Sequence, residues 1–79
     1  MKGKIIKINR GKAIFEDPQG DYGYFEFLGD DDLEEGDIIL GNLHFSAQET
    51  IKCVSTGKTY SVYVEDWGMS YRTALEKIY

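Results

Sequence analysis

The apolar positions of this chain alternate with polar ones over short runs, and turn residues separate the runs. That pattern predicts strands rather than helices. The densest run is Tyr22-Gly23-Tyr24-Phe25-Glu26-Phe27-Leu28, which holds four of the ten Phe and Tyr residues. As a strand it sends Tyr22, Tyr24, Glu26 and Leu28 to one side and Gly23, Phe25 and Phe27 to the other. Phe25 and Phe27 are the candidate core side. The other side presents aromatic rings outward.

Two strands precede it. Lys2 to Asn9 carries Ile5, Ile6 and Ile8. The adjacent Ile5 and Ile6 break strict alternation, so a bulge or burial on both faces is expected. Asn9-Arg10-Gly11-Lys12 reads as a hairpin turn in which Gly11 takes positive φ. Lys12 to Glu16 is a second strand around Ala13, Ile14 and Phe15, and Asp17-Pro18-Gln19-Gly20-Asp21 is a further turn. Three acids at Asp30 to Asp32 suit the start of one helical turn, with Leu33 pinning it to the core. Ile38 to Leu43, Glu49 to Val54 and Lys58 to Glu65 read as strands four, five and six, and Asp66-Trp67-Gly68 ends the last. Trp67 is expected to seal one end of the fold against a terminal helix. Ser70 is placed to cap that helix, in which Tyr71, Ala74, Leu75 and Ile78 form one apolar stripe. A helix of about ten residues is unstable alone in water and needs a surface to pack on.

These elements predict an all-β protein: a small OB-like barrel of five or six strands with a short C-terminal helix. Residues 1–66 form the barrel and residues 67–79 a helical extension packed on it. With 79 residues there is room for one core, and with 42% apolar residues that core needs no metal or disulfide. Cys53 is the only cysteine, which suits a reducing compartment. The basic start of the chain lacks the apolar core of a signal peptide, and no apolar run approaches the ~20 residues that span a bilayer. A cytoplasmic protein that does not engage a membrane is expected.

The net charge is −5, against the basic field usual for a nucleic-acid binder. Its distribution is uneven. Lys2, Lys4, Lys7, Arg10 and Lys12 fall in the first twelve residues without an acid, whereas the ten acids from Glu16 to Asp37 fall without a base. A local basic patch can act within an acidic molecule. Catalytic and metal-binding patterns are absent. His44 and Cys53 lack paired ligand spacing, and the acidic run lacks the alternating oxygens of a calcium loop. No phosphate loop and no nucleophile–base order is present, so no catalytic residue, cofactor or enzyme activity is expected.

The order of motifs from Lys2 to Val54 resembles the cold-shock domain, a small OB-fold family. Lys2-Gly3 opens the first strand and Ile8-Asn9 ends it. Arg10-Gly11-Lys12-Ala13-Ile14-Phe15 stands where the family has Lys-Gly-Phe-Gly-Phe-Ile. Tyr24-Phe25-Glu26-Phe27 comes after Gly20 as the family's third strand comes after its glycine turn. Leu33-Glu34-Glu35-Gly36-Asp37-Ile38-Ile39 is similar to the family's entry into strand four. The resemblance implies binding of single-stranded RNA or DNA by stacking bases on outward aromatics beside a basic groove. It implies a face on strands one to three made of Lys4, Lys7, Arg10, Lys12, Tyr22 and Tyr24. The chain departs from that platform: Lys7, Lys12 and Ile14 replace aromatics, and Glu26 replaces a histidine. Two readings therefore stand. The first, slightly favoured because the surviving features cluster on those strands, is a weak single-stranded nucleic-acid binder. The second is a protein-interaction or structural module that has lost the platform. The sequence names neither the partner nor the oligomeric state.

Overall fold

The structure, a computed structural model, describes residues 1–79. Six strands run in order: β1 (Lys2–Asn9), β2 (Lys12–Glu16), β3 (Tyr22–Phe27), β4 (Ile38–Leu40), β5 (Gln48–Cys53) and β6 (Thr59–Met69). Helix α1 (Tyr71–Ile78) ends the chain. The strands close into a barrel in the order β1-β2-β3-β6-β5-β4. All six neighbouring pairs are antiparallel, including β4 on β1 and β6 on β3. The expected all-β barrel is thus present in its six-stranded form, and closure leaves no sheet edge exposed.

Alternation sets what fills it. Ile5, Phe15, Phe25, Ile39, Ile51, Val62 and Val64 point inward and are completely buried. Phe25 lies between two other rings, with centroids 6.2 Å from Phe15 and 5.3 Å from Phe27. On β1 the partner of Ile5 is Phe15 and the partner of Lys7 is Ile14, so Ile6 is the extra residue of a bulge. Ile5 and Ile8 serve the core, and Ile6 is turned to the outside. The hairpin turn between β1 and β2 has positive φ at both Arg10 (50°) and Gly11 (78°), the backbone of a two-residue turn matched to strand twist.

Several expected boundaries change. Asp30 to Glu35 form no helical turn. Gly36 N–H donates to the Ile5 carbonyl, and Glu34 N–H donates to the Asp37 carboxylate, so these backbone groups serve β1 and a tight turn instead. Leu33 still reaches the core. β4 ends at Leu40 rather than Leu43, and β5 begins one residue early. β6 runs past Asp66-Trp67-Gly68 to Met69. Its pairing with β3 slips on either side of Tyr24, and Gly68, at φ 72°, absorbs the bend. A glycine that reads as a terminator is here part of a bulge. Trp67 turns back onto the main core and is not among the hydrophobic residues packed around the helix cluster.

The bulge needs a neighbour without a side chain. A Cβ on Gly23 would lie 2.5 Å from Phe15 Cζ and 2.6 Å from the Asp66 carbonyl oxygen. The second atom is backbone and cannot step aside. Gly23→Ala is therefore expected to lower stability by about 1–3 kcal/mol, as overpacking does. Urea unfolding would show a lower midpoint with little change in slope.

Candidate interaction face

The outer surface of β1, β2 and β3 forms three rows continued by β6. Lys4, Glu16, Tyr22 and Met69 make the first, and Lys7, Ile14, Tyr24 and Asp66 the second. Asn9, Lys12, Glu26 and Tyr63 make the third. The expected outward placement of Tyr22, Tyr24 and Glu26 holds, as does the inward placement of Gly23, Phe25 and Phe27. The surface is not open, because α1 lies across it. Ile14, Ala74 and Ile78 form a second buried cluster on the outside of the barrel wall, and Ile6, Tyr22, Tyr24, Met69 and Leu75 pack around it.

Local chemistry fixes the helix there. Ser70 has extended backbone and its Oγ accepts from Thr73 N–H at 3.2 Å, the cap expected from the sequence. Tyr71 meets Tyr22 with ring centroids 5.5 Å apart. At the far end Asn9 Nδ2 donates to the Ile78 carbonyl at 2.7 Å, satisfying one of the groups a helix end leaves unpaired. The apolar stripe therefore docks on its own sheet.

The six candidate residues fare differently. Tyr22 and Tyr24 are half-buried beside the helix, so their rings are partly covered where a stacked base needs an open face. Lys4 and Arg10 are exposed, and Lys7 and Lys12 are half-buried. None of these four cations is in an ion pair. Lys7, Arg10 and Lys12 gather at the β1–β2 turn, near the end of α1. Lys4 stands apart, between Glu16 on β2 and Ile38 on β4. The Tyr24 phenol is pushed up, first by burial, then by the carboxylates of Glu65 and Asp66. With Glu26 these place three acids around the platform, two of which sequence reasoning missed because nothing in the sequence pairs β6 with β3.

The sequence marks Asp17 only as a turn residue, yet it is the buried acid of the structure. Its Oδ1 accepts from Gln19 N–H and Asp21 N–H, each at 3.0 Å. Its Oδ2 accepts from His44 Nε2 at 2.9 Å. The imidazole in turn lies parallel to Trp67, 5.7 Å between centroids. The cluster ties the β2–β3 turn to the β4–β5 connection and to the β6 bulge. Elsewhere Cys53 is buried, with its Sγ 3.4 Å from Ser55 Oγ, and side-chain hydrogen bonds from Ser55 and Thr56 lower its thiol. No group of three or more His, Cys, Asp or Glu is arranged to hold a metal ion. No helix is long and apolar enough to cross a membrane.

Lys58 binds Asp32 at 2.9 Å and Asp30 at 3.3 Å, and lies 5.1 Å from the centre of the Tyr60 ring. The Tyr60 phenol is pushed up to about 12, by burial first and then by the adjacent Asp32 carboxylate.

Comparison of the chain with protein-family models, with curated proteins and with solved structures finds no match.

This geometry carries two expected outcomes. Ile78→Ala removes the helix's main anchor and is expected to cost about 2 kcal/mol, near the lower end for a buried aliphatic because the site lies at a helix end. Hydrogen exchange would show protection lost in α1 before the barrel strands. The raised phenols also set an alkaline limit. Tyr24 and Tyr60 keep their protons when folded and release them near pH 10 when unfolded. Stability is complete below pH 10 and falls as pH rises, for Tyr60 until about 12. Thermal melts from pH 9 to 12 would show the decline, and Tyr60→Phe would flatten it.

Proposed function

We propose that this chain is a non-enzymatic interaction module on an OB-like barrel, in which the C-terminal helix occupies the place where a cold-shock-like barrel would seat a nucleic acid. The carrying observation is the complete burial of outward-facing Ile14 beneath Ala74 and Ile78, with Tyr22 and Tyr24 drawn into the same cluster. A stacking platform needs exposed ring faces. Here the two tyrosines are committed to the helix, and Glu26, Glu65 and Asp66 surround them with charge of the sign that repels phosphate. The motif order from Lys2 to Val54 supports the OB-like assignment. The sixth strand, inserted between β3 and β5, gives a closed barrel where the OB-fold has five strands and is partly open. A single buried thiol suits a reducing interior such as the cytoplasm.

One observation favours nucleic acid as a second reading: Lys7, Arg10 and Lys12 gather at the β1–β2 turn without an ion-pair partner. A titration of labelled single-stranded oligonucleotide, followed by fluorescence anisotropy at 20 and 150 mM salt, separates the two. The interaction-module reading expects no binding that Tyr24→Ala weakens. Affinity that falls with salt and falls again in Tyr24→Ala would overturn it. Salt-dependent binding lost in a Lys7→Ala/Lys12→Ala variant but indifferent to Tyr24 would establish the second reading.

A further inference from the structure

The helix covers one side of the barrel. The opposite side, centred on β4 three places round the ring from β3, is bare. Register lays its outer residues out as a small grid. Lys2, Leu40 and Lys52 form one row across β1, β4 and β5. Lys4, Ile38 and Val54 form the next, with Val54 N–H donating to the Ile38 carbonyl. Leu40 is 42% and Val54 51% exposed, and Ile38 is half-buried. The outer rows of β5 and β6 beside it carry Gln48, Thr50, Thr59, Ser61 and Tyr63; the exposed Leu28 lies beyond them, next to Ser61, so the aliphatic group at β4 stands by itself.

We propose that this face docks an acidic protein segment carrying aliphatic side chains. The partner class goes beyond the interaction-module reading and rests on it. Charge complementarity selects the occupant. Lys2, Lys4 and Lys52 rim the aliphatic centre, all three exposed and none in an ion pair. The nearest acid on the adjoining outer rows is Glu16, across β1 from Lys4. The whole chain carries a net charge of −5, so unpaired lysines are what draws an acidic partner; the other such group, Lys7, Arg10 and Lys12, has no exposed aliphatic centre beside it, and this face has both. An apolar centre with a polar rim is the usual anatomy of a docking patch. The centre is aliphatic and offers no ring on which a base could stack. Bordering it lies an open depression of about 220 Å³ lined by Lys2, Lys4, Glu16, Asp17, Pro18 and Ile38; its two acids leave the lysine-rimmed aliphatic centre, not this depression, as the docking point.

The test is a titration of the full ¹⁵N-labelled chain with a synthetic peptide of alternating Glu and Leu. A Gln–Leu peptide, phosphatidylserine vesicles and single-stranded oligo-dT serve as parallel probes. Shifts at the amides of Lys2, Ile38, Leu40, Lys52 and Val54 are expected with the Glu–Leu peptide. Affinity should fall at least tenfold in Leu40→Ser and in Lys2→Glu/Lys52→Glu. Both variants change only exposed positions, and an unchanged spectrum away from β4 verifies that each is folded. Equal binding of the Gln–Leu peptide, or affinity indifferent to both variants, overturns the proposal. Vesicle binding that Leu40→Ser abolishes, with no response to the peptide, replaces it with a lipid surface. Dimerisation that salt and Leu40→Ser abolish replaces it with a second copy of this chain. Oligo-dT shifts around Tyr24 would defeat the interaction-module reading whatever happens at β4. An absence of peptide binding would defeat this proposal alone.

Discussion

Ile14 points out of the barrel and is completely buried. Much else depends on that placement. Its neighbours Ala13 and Phe15 face the core, so β2 is apolar on both sides and needs cover on both. Exposed on a sheet, the side chain would forgo about 1.5–3 kcal/mol of burial. The C-terminal segment supplies the cover. β6 is the strand that hands over to α1, and it must run past β3 to deliver the helix to β2. The bulge at Trp67 and Gly68, and the bare Gly23 that makes room for it, belong to the same requirement. A short helix with little stability of its own is thereby held by the one outward aliphatic on the central strand of the first meander.

Much of the barrel was legible in the sequence. The limits of β1 and β2, and the start of β3, match those expected from alternation and turn residues, because each strand is short and bounded by Gly, Pro or Asn. The cap at Ser70 and the stripe from Tyr71 to Ile78 were equally plain, since both are local. The errors have a shared cause. A glycine such as Gly68 commonly ends a strand, and here a bulge beside a second glycine, Gly23, lets the strand continue. The acids from Asp30 to Asp32 suit a helix start until Lys58, far along the chain, takes two of them. In each case a residue distant in sequence decides.

The candidate face shows the same division. Alternation places Tyr22, Tyr24 and Glu26 outward and cannot say whether outward means exposed. The sequence did say that the helix needed a surface, and left open whether it lay in the same chain. Glu65 and Asp66 could not be assigned to the face before β6 was known to pair with β3. Asp17 is the plainest omission. Its turn role is real, but its burial depends on His44, twenty-seven positions away, and on the ring of Trp67 behind it.

A single residue, Ser70, separates the last position of β6 from the first of α1. The helix is in effect a ligand tethered within reach of its own site, and so short a tether gives it a high effective concentration there. Any molecule arriving from solution at the β1–β3 face competes with an occupant that cannot diffuse away. For this barrel, the question of what such a face holds has an intramolecular answer: the chain's own last helix.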